Sequence, residues 1–244
     1  MEKSNKIYLT IIIICAILVV GVCAYAIINH KEEKVTDAMK FKSEYESLNG
    51  VVNEATDNKY IEVNIDEENP MVYKTGKEIL DVLKNEDAII YFGFAACPWC
   101  RNAVPVLLDA AKELNVDRIY YVDILDIRDT YKFSGSIEPE QTKKGTDAYY
   151  EILKFLDKKL EKFYVKDEAG NMYDTGVKRL YAPTVVGVKG GKVVGFHEST
   201  IESQTDPYEL LDEKGKSELK NEYKKIIDSV NEKNNVCKDK DGTC

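Results

Sequence analysis

Ala88-Ile89-Ile90-Tyr91-Phe92-Gly93-Phe94-Ala95-Ala96-Cys97-Pro98-Trp99-Cys100 is the stretch that decides the fold of this chain. Its first seven residues form a continuous apolar, β-branched and aromatic run, the composition of a strand buried on both faces. The run stops just before Cys97. Beyond it Val104, Leu107, Leu108 and Ala111 recur at i, i+3, i+4 and i+7, so a helix with one core-facing stripe follows directly. Cys97 therefore stands at the helix N-terminus. Pro98 suits the first helical position, where its missing N–H costs nothing and its φ is already helical.

That placement gives the two thiols different characters. Free backbone N–H groups and the positive end of the helix dipole surround Cys97 and favour its thiolate, the nucleophilic form. Cys100, one turn further in, is expected to be the less exposed, resolving thiol. Cys97 would attack a foreign disulfide, and Cys100 would release the mixed disulfide that results. The same C-x-x-C spacing also makes half of a structural zinc site, or simply two core cysteines. The chain supplies no second pair at that spacing, only two histidines, and no methionine beside the motif, so no metal is expected.

Strand, C-x-x-C, helix resembles the active site of the thioredoxin superfamily. Two prolines agree with the resemblance. Pro105, eight residues after Cys97, takes the place of the proline inside the family's active-site helix, and Pro183 in Tyr181-Ala182-Pro183-Thr184-Val185-Val186 resembles the family's cis-proline. The resemblance covers roughly residues 60–230. It implies a three-layer α/β fold with a central mixed sheet, a redox-active Cys97–Cys100 disulfide with no other cofactor, and substrate contacts at Trp99, Ala182 and Pro183. The sequence departs from the family at Tyr91, six residues before Cys97, where thioredoxins carry a buried aspartate that assists proton transfer from the resolving cysteine. Pro98-Trp99 is closer to the Pro-aromatic pairs of glutaredoxins than to thioredoxin's Gly-Pro.

Two β-branched runs around Gly190-Gly191 read as a hairpin. With a two-residue loop Lys189 faces Lys192, His197 faces Thr184 and Glu198 faces Pro183, which makes Glu198 and His197 the candidate substitute proton acceptors. Elsewhere Asp37 to Leu48 predicts a short helix, Tyr60 to Ile65 an alternating first strand, Thr75-x-x-Glu78 a capping box opening a helix, and Arg118 to Leu125 another buried strand. Strand and helix thus alternate, as in an α/β fold.

Residues 126–180, ahead of the cis-proline strand, form an insertion relative to the minimal thioredoxin fold. Tyr149, Ile152, Leu153, Leu156, Leu160 and Phe163 predict a helix there, and Val165 to Tyr173 a small hairpin. The insertion either packs on the core or shapes substrate choice beside the disulfide. Tyr208 to Asn231 is the expected closing helix, interrupted near Gly215.

Ile7 to Ile28 is 22 residues without a charge, enough to cross a bilayer core as a helix. We read it as a retained signal-anchor; Ala24-Tyr25-Ala26 has the spacing of a cleavage site, which is the alternative. Lys3 and Lys6 before the span balance Lys31 and Lys34 after it. The short head before a single span is the layout of an export signal, which places the C-terminal domain outside the cell membrane, in a compartment that tolerates disulfides. The expected organisation is a cytoplasmic head (1–6), a transmembrane span (7–28), a tether with a short helix (29–58), a thioredoxin-like domain (59–232) and a polar tail (233–244). Of six cysteines, Cys15 and Cys23 lie in the span, and Cys237 with Cys244 forms a second disulfide in the tail, either a bland loop closure or a shuttle serving Cys97.

A net charge of −9 leaves no basic stripe for a polyanion, so nucleic acid is not an expected partner. The overall layout is similar to the thioredoxin-like bacteriocin-transport accessory proteins of Gram-positive bacteria. That resemblance implies a membrane-anchored, extracytoplasmic thiol-disulfide oxidoreductase acting on exported proteins, with a membrane or extracytoplasmic redox partner. A secretion-accessory binding module with a structural disulfide is the alternative. A thiol peroxidase is a third, for which no Thr or Arg is arranged around Cys97, although Arg101 is close in sequence.

Overall fold

The computed structural model describes residues 8, 12–22, 25, 35–135 and 138–231. The chain divides into two units, Met1–Thr36 and Asp37–Cys244. In the first, residues 12–22 are helical, and among the described residues no helix is long and apolar enough to cross a membrane. Much of the expected 7–28 span lies outside the described residues, as do the 1–6 head and the Cys237/Cys244 pair.

The second unit starts with α1 (Asp37–Glu46) and a small ribbon of β1 (Val52–Asn53) and β2 (Asn58–Lys59). Then come β3 (Met71–Tyr73), α2 (Gly76–Asn85), β4 (Ala88–Gly93), α3 (Pro98–Glu113), β5 (Ile119–Asp123) and the single turn α4 (Ile124–Ile127). The insertion holds a ribbon of β6 (Thr130–Lys132) and β7 (Glu140–Lys143), helix α5 (Asp147–Leu156), and a second ribbon of β8 (Glu161–Lys166) and β9 (Met172–Arg179). A hairpin of β10 (Thr184–Lys189) and β11 (Lys192–Glu198) and a closing helix α6 (Glu213–Asn231) complete it. Five strands form one mixed sheet in the order β11-β10-β4-β5-β3, with β3, β4 and β5 parallel and β10 antiparallel to both neighbours.

β4 is buried along its whole length because helices cover both faces of the sheet. Ile89 and Tyr91 point into one core with Phe41 and Tyr45 of α1, the inner stripe of α3, and Tyr223 and Ile227 of α6. Ile90 and Phe92 point into the other, against Ile79 and Leu83 of α2 and Tyr149 and Ile152 of α5. Each such side chain contributes roughly 1.5–3 kcal/mol by leaving water. α2 begins with the expected capping box: Thr75 Oγ1 accepts from Glu78 N at 3.3 Å, and Glu78 Oε2 accepts from Thr75 N at 2.8 Å. The backbone and side-chain bonds to Thr75 hold the Glu78 carboxyl down to about 2.

Several expectations change. Ile61, Val63 and Ile65 are buried in alternation, yet residues 60–65 are not a strand. Their backbone groups pair with side chains instead. Arg101 Nε donates to Ile61 O at 2.6 Å, Asn49 bonds both backbone groups of Val63, and Glu46 and Lys42 bond those of Ile65. Residues 37–58, expected with the tether, belong to the same unit as the sheet, and α1 buries Phe41 and Tyr45 in its core. The insertion helix stops at Leu156, and Phe163 lies in β8, part of a hairpin longer than the expected 165–173. Gly215 lies inside the first turn of α6 rather than interrupting it.

The β10–β11 turn is made by Gly190 and Gly191, both at positive φ, and Lys189 pairs with Lys192. A bulge at Val194 then moves the register by one, so Glu198 faces Thr184 and His197 faces Val185, not Pro183 and Thr184. Beside the bulge Gly187 pairs with Gly195 under α6, where a Cβ on either would press on Ile226.

Candidate functional site

Cys97 is the N-cap of α3, with φ −81° and ψ 117°, and Pro98 is at the first helical position. Its sulfur accepts from the Cys100 backbone N–H at 3.3 Å. As a thiol it donates to the Ala182 carbonyl at 3.4 Å, and the Ala182–Pro183 peptide bond is cis. Both cysteines are free thiols; Cys97 is 4% exposed and Cys100 fully buried. Trp99, Ala182 and Phe94 are partly buried and pack on the core cluster that holds both cysteines; of the expected substrate residues, Ala182 meets the Cys97 sulfur through its carbonyl, Trp99 follows in the first turn of α3, and Pro183 is the residue after Ala182. Pro105 lies inside α3 and removes the usual helical bond to the Arg101 carbonyl.

The electrostatics separate the two sulfurs. Burial pushes the Cys97 thiol up, but the Cys100 thiol, the backbone N–H groups of Cys100 and Trp99, and the Arg128 charge outweigh it and hold Cys97 below the usual thiol value. Cys100 goes the other way. Burial first, then the bond to and charge of Cys97, raise it well above the usual value, opposed by hydrogen bonds from the Tyr91 hydroxyl and the Phe94 backbone. Arg128, just past α4, holds its guanidinium 5.2 Å from the Phe94 ring centroid. It acts on the sulfurs as a nearby positive charge.

Tyr91 lies in β4, six residues before Cys97. Its hydroxyl lies 2.9 Å from the Tyr45 hydroxyl, and both tyrosines are fully buried. The ring leans along β4 over Gly93, so that a Cβ on Gly93 would overlap the Tyr91 hydroxyl. It stacks on Tyr121 at 5.6 Å, and Phe41 meets it edge-on. Arg101, buried beside Cys100, donates to Ile61 O, Tyr45 O, Ala95 O and Asn49 Oδ1, tying α1 and the 60–65 strap to α3.

Glu198 and His197 have other partners. Glu198 accepts from Tyr181 N at 3.3 Å and, because it is buried, its carboxyl is raised above the usual range. His197 Nε2 meets Thr200 O at 2.7 Å, and its ring stands edge-on to Tyr223. The hydrogen bonds at the Cys97 sulfur come from the Cys100 backbone N–H and the Ala182 carbonyl, not from Glu198 or His197. Sequence reasoning missed Tyr45 and Arg128. Tyr45 shares a helix face with Phe41, which marks it as core but says nothing of a hydroxyl partner 46 positions away. Among the described residues no group of three or more His, Cys, Asp or Glu side chains is arranged to hold a metal ion. Comparison of the chain with family models, with curated proteins and with solved structures finds no match.

Proposed function

We propose that this chain is a thioredoxin-like thiol-disulfide oxidoreductase in which Cys97 is the nucleophile and Cys100 the resolving thiol. One observation carries the reading: Cys97 is a helix N-cap whose sulfur accepts a backbone N–H bond and faces the Ala182 carbonyl at a cis Ala182–Pro183 bond. The N–H bonds and the Arg128 charge favour the Cys97 thiolate, which is the attacking species. Attack on a substrate disulfide forms a Cys97 mixed disulfide and expels a thiolate. Cys100 then attacks Cys97, forms the internal disulfide and releases the second substrate sulfur. In this reading Trp99, Ala182 and Pro183 would meet the substrate chain.

In the full reading residues 7–28 anchor the protein in the cell membrane as a single-pass signal-anchor, with the catalytic unit extracytoplasmic. Its substrates are exported proteins carrying thiols or disulfides, a membrane or extracytoplasmic partner resets the disulfide, and no cofactor is needed. The low exposure of Cys97 favours a second reading, a secretion-accessory binding module whose disulfide is structural. The two readings separate on one variant and one potential. In the oxidoreductase reading, full-length Cys100→Ser accumulates stable mixed disulfides on Cys97 that disappear in Cys97→Ser. If nothing is trapped and the potential lies below about −300 mV, the binding reading stands instead.

A further inference from the structure

The Cys97 sulfur has both a donor and an acceptor against it. The Cys100 backbone N–H donates to it at 3.3 Å, while the Ala182 carbonyl lies 3.4 Å away at the cis Ala182–Pro183 bond. The two partners act in opposite senses. An N–H favours the thiolate, whereas a carbonyl accepts S–H from the thiol and turns its partial negative charge toward a thiolate. The position of that carbonyl therefore tunes how far Cys97 ionises, and whatever fixes residues 181–183 becomes part of the site.

The fixing groups come from the β10–β11 hairpin and the residue after it. Tyr181 N donates to Glu198 Oε2 at 3.3 Å, Thr184 Oγ1 donates to Tyr181 O at 2.8 Å, and Ser199 N donates to Pro183 O at 2.7 Å. Thr184 and Glu198 face each other across the two strands, a pairing that the bulge at Val194 creates. Thr184 is fully buried and Glu198 half-buried, so both are held where they meet Tyr181. Of the three contacts, the one to Glu198 is made by an ionisable side chain, on the peptide unit directly before the Ala182 carbonyl.

We propose that Glu198 is a positioning residue for the thiol chemistry: by holding the Tyr181 N–H it keeps the Ala182 carbonyl against the Cys97 sulfur and favours the thiol over the thiolate. The inference deepens the oxidoreductase reading and rests on it. It gives Glu198 a lever on the nucleophile in place of the proton-acceptor role expected from the sequence. A carboxyl keeps an acceptor oxygen whether or not it is protonated, so the clamp holds on both sides of its titration. Two other charges bear on the arrangement: Glu161 of β8 acts on Glu198, and Arg128 past α4 acts on Cys97. A Glu198 charge acting directly on Cys97 would also favour the thiol. Glu198→Gln separates the two effects, because it keeps the acceptor oxygen and removes the charge.

The test follows iodoacetamide alkylation of Cys97 against pH in the reduced full-length chain, read by mass spectrometry of the Cys97 peptide. Glu198→Ala should lower the midpoint by about half a pH unit to one unit, a gain of about threefold to tenfold in thiolate below the midpoint. Glu198→Gln should stay within about twofold of wild type. Thr184→Val releases the Tyr181 carbonyl, leaves the Glu198 charge in place, and should raise the thiolate fraction by about twofold to threefold. An unchanged or raised midpoint in Glu198→Ala overturns the inference. So does a Glu198→Gln midpoint that moves as far as that of Glu198→Ala, which assigns the effect to charge. Should Glu198→Ala not fold, Thr184→Val decides, and a wild-type midpoint there counts against the clamp. The midpoints are read without a substrate disulfide, so failure of Cys100→Ser to trap partners, which overturns the oxidoreductase reading, is a separate result.

Discussion

Two buried arginines hold two regions of this molecule in opposite ways. Arg101, under the thiol site, gives its guanidinium to the neutral oxygens of Ile61, Tyr45, Ala95 and Asn49. Arg179, at the end of the insertion, faces the buried carboxylate of Asp129 at 3.8 Å, donates to the Asp129 carbonyl at 3.1 Å and stacks over Phe163 at 3.9 Å. The first arrangement ties chain segments together through groups that never titrate. The second rests on a partner that does: burial raises the Asp129 carboxyl, against the lowering effect of Arg179 and Arg128. The Arg101 anchor is therefore insensitive to pH, whereas the Arg179 anchor responds to the protonation of Asp129.

The largest effect expected is that of Arg101→Met, which strands at least three acceptors in the core and should cost about 3–5 kcal/mol in urea unfolding. That loss should stay constant from about pH 5 to 8, since no partner of Arg101 titrates there. Arg179→Met should cost less, about 2 kcal/mol at neutral pH, because Asp129 can take a proton instead of remaining a lone buried charge. The sign follows from the raised Asp129 carboxyl. Between its unfolded value near 3.8 and its folded value the native state binds more protons, so stability falls as pH rises through that window. The Arg179→Met loss should therefore shrink on acidification, and a flat pH dependence for both variants would break the contrast.

Arg128→Met probes the electrostatic link between the two regions. Without the guanidinium the Cys97 thiol should titrate higher and its thiolate fraction at neutral pH fall about threefold, read as thiolate absorbance against pH. The smallest effect is Thr75→Ala, about 1 kcal/mol at pH 7 from the lost cap of α2. Here the sign is opposite to that of Asp129. Glu78 is held down to about 2, so the contribution of the box is complete above the ordinary carboxylate value of 4.5 and fades as pH falls below it. A gap between Thr75→Ala and wild type that widens in acid would contradict this.

What the sequence made legible was local. The apolar run of β4, the N-cap at Cys97, Pro98 in the first turn and the Thr75/Glu78 box are each written in fewer than ten consecutive residues, and backbone geometry follows from them directly. What stayed hidden depends on distant partners. Ile61, Val63 and Ile65 alternate as a strand would, but alternation reports which side chains are buried and not where the backbone bonds go; here they go to Asn49, Glu46, Lys42 and Arg101. The register at His197 and Glu198 turned on one extra residue, Val194, in a run whose β-branched pattern reads the same with or without a bulge. Phe163 keeps helical spacing with Leu156 and Leu160, yet the helix had already ended.

Gly93 shows how little space the strand beside the thiol site leaves for a side chain. The space a side chain would fill there already belongs to the hydroxyl of Tyr91, two residues upstream on the same face of β4. Positions 91 and 93 are therefore sterically coupled. Enlarging residue 93 requires the Tyr91 side chain to move or shorten, and with it the 2.9 Å contact between the Tyr91 and Tyr45 hydroxyls would change.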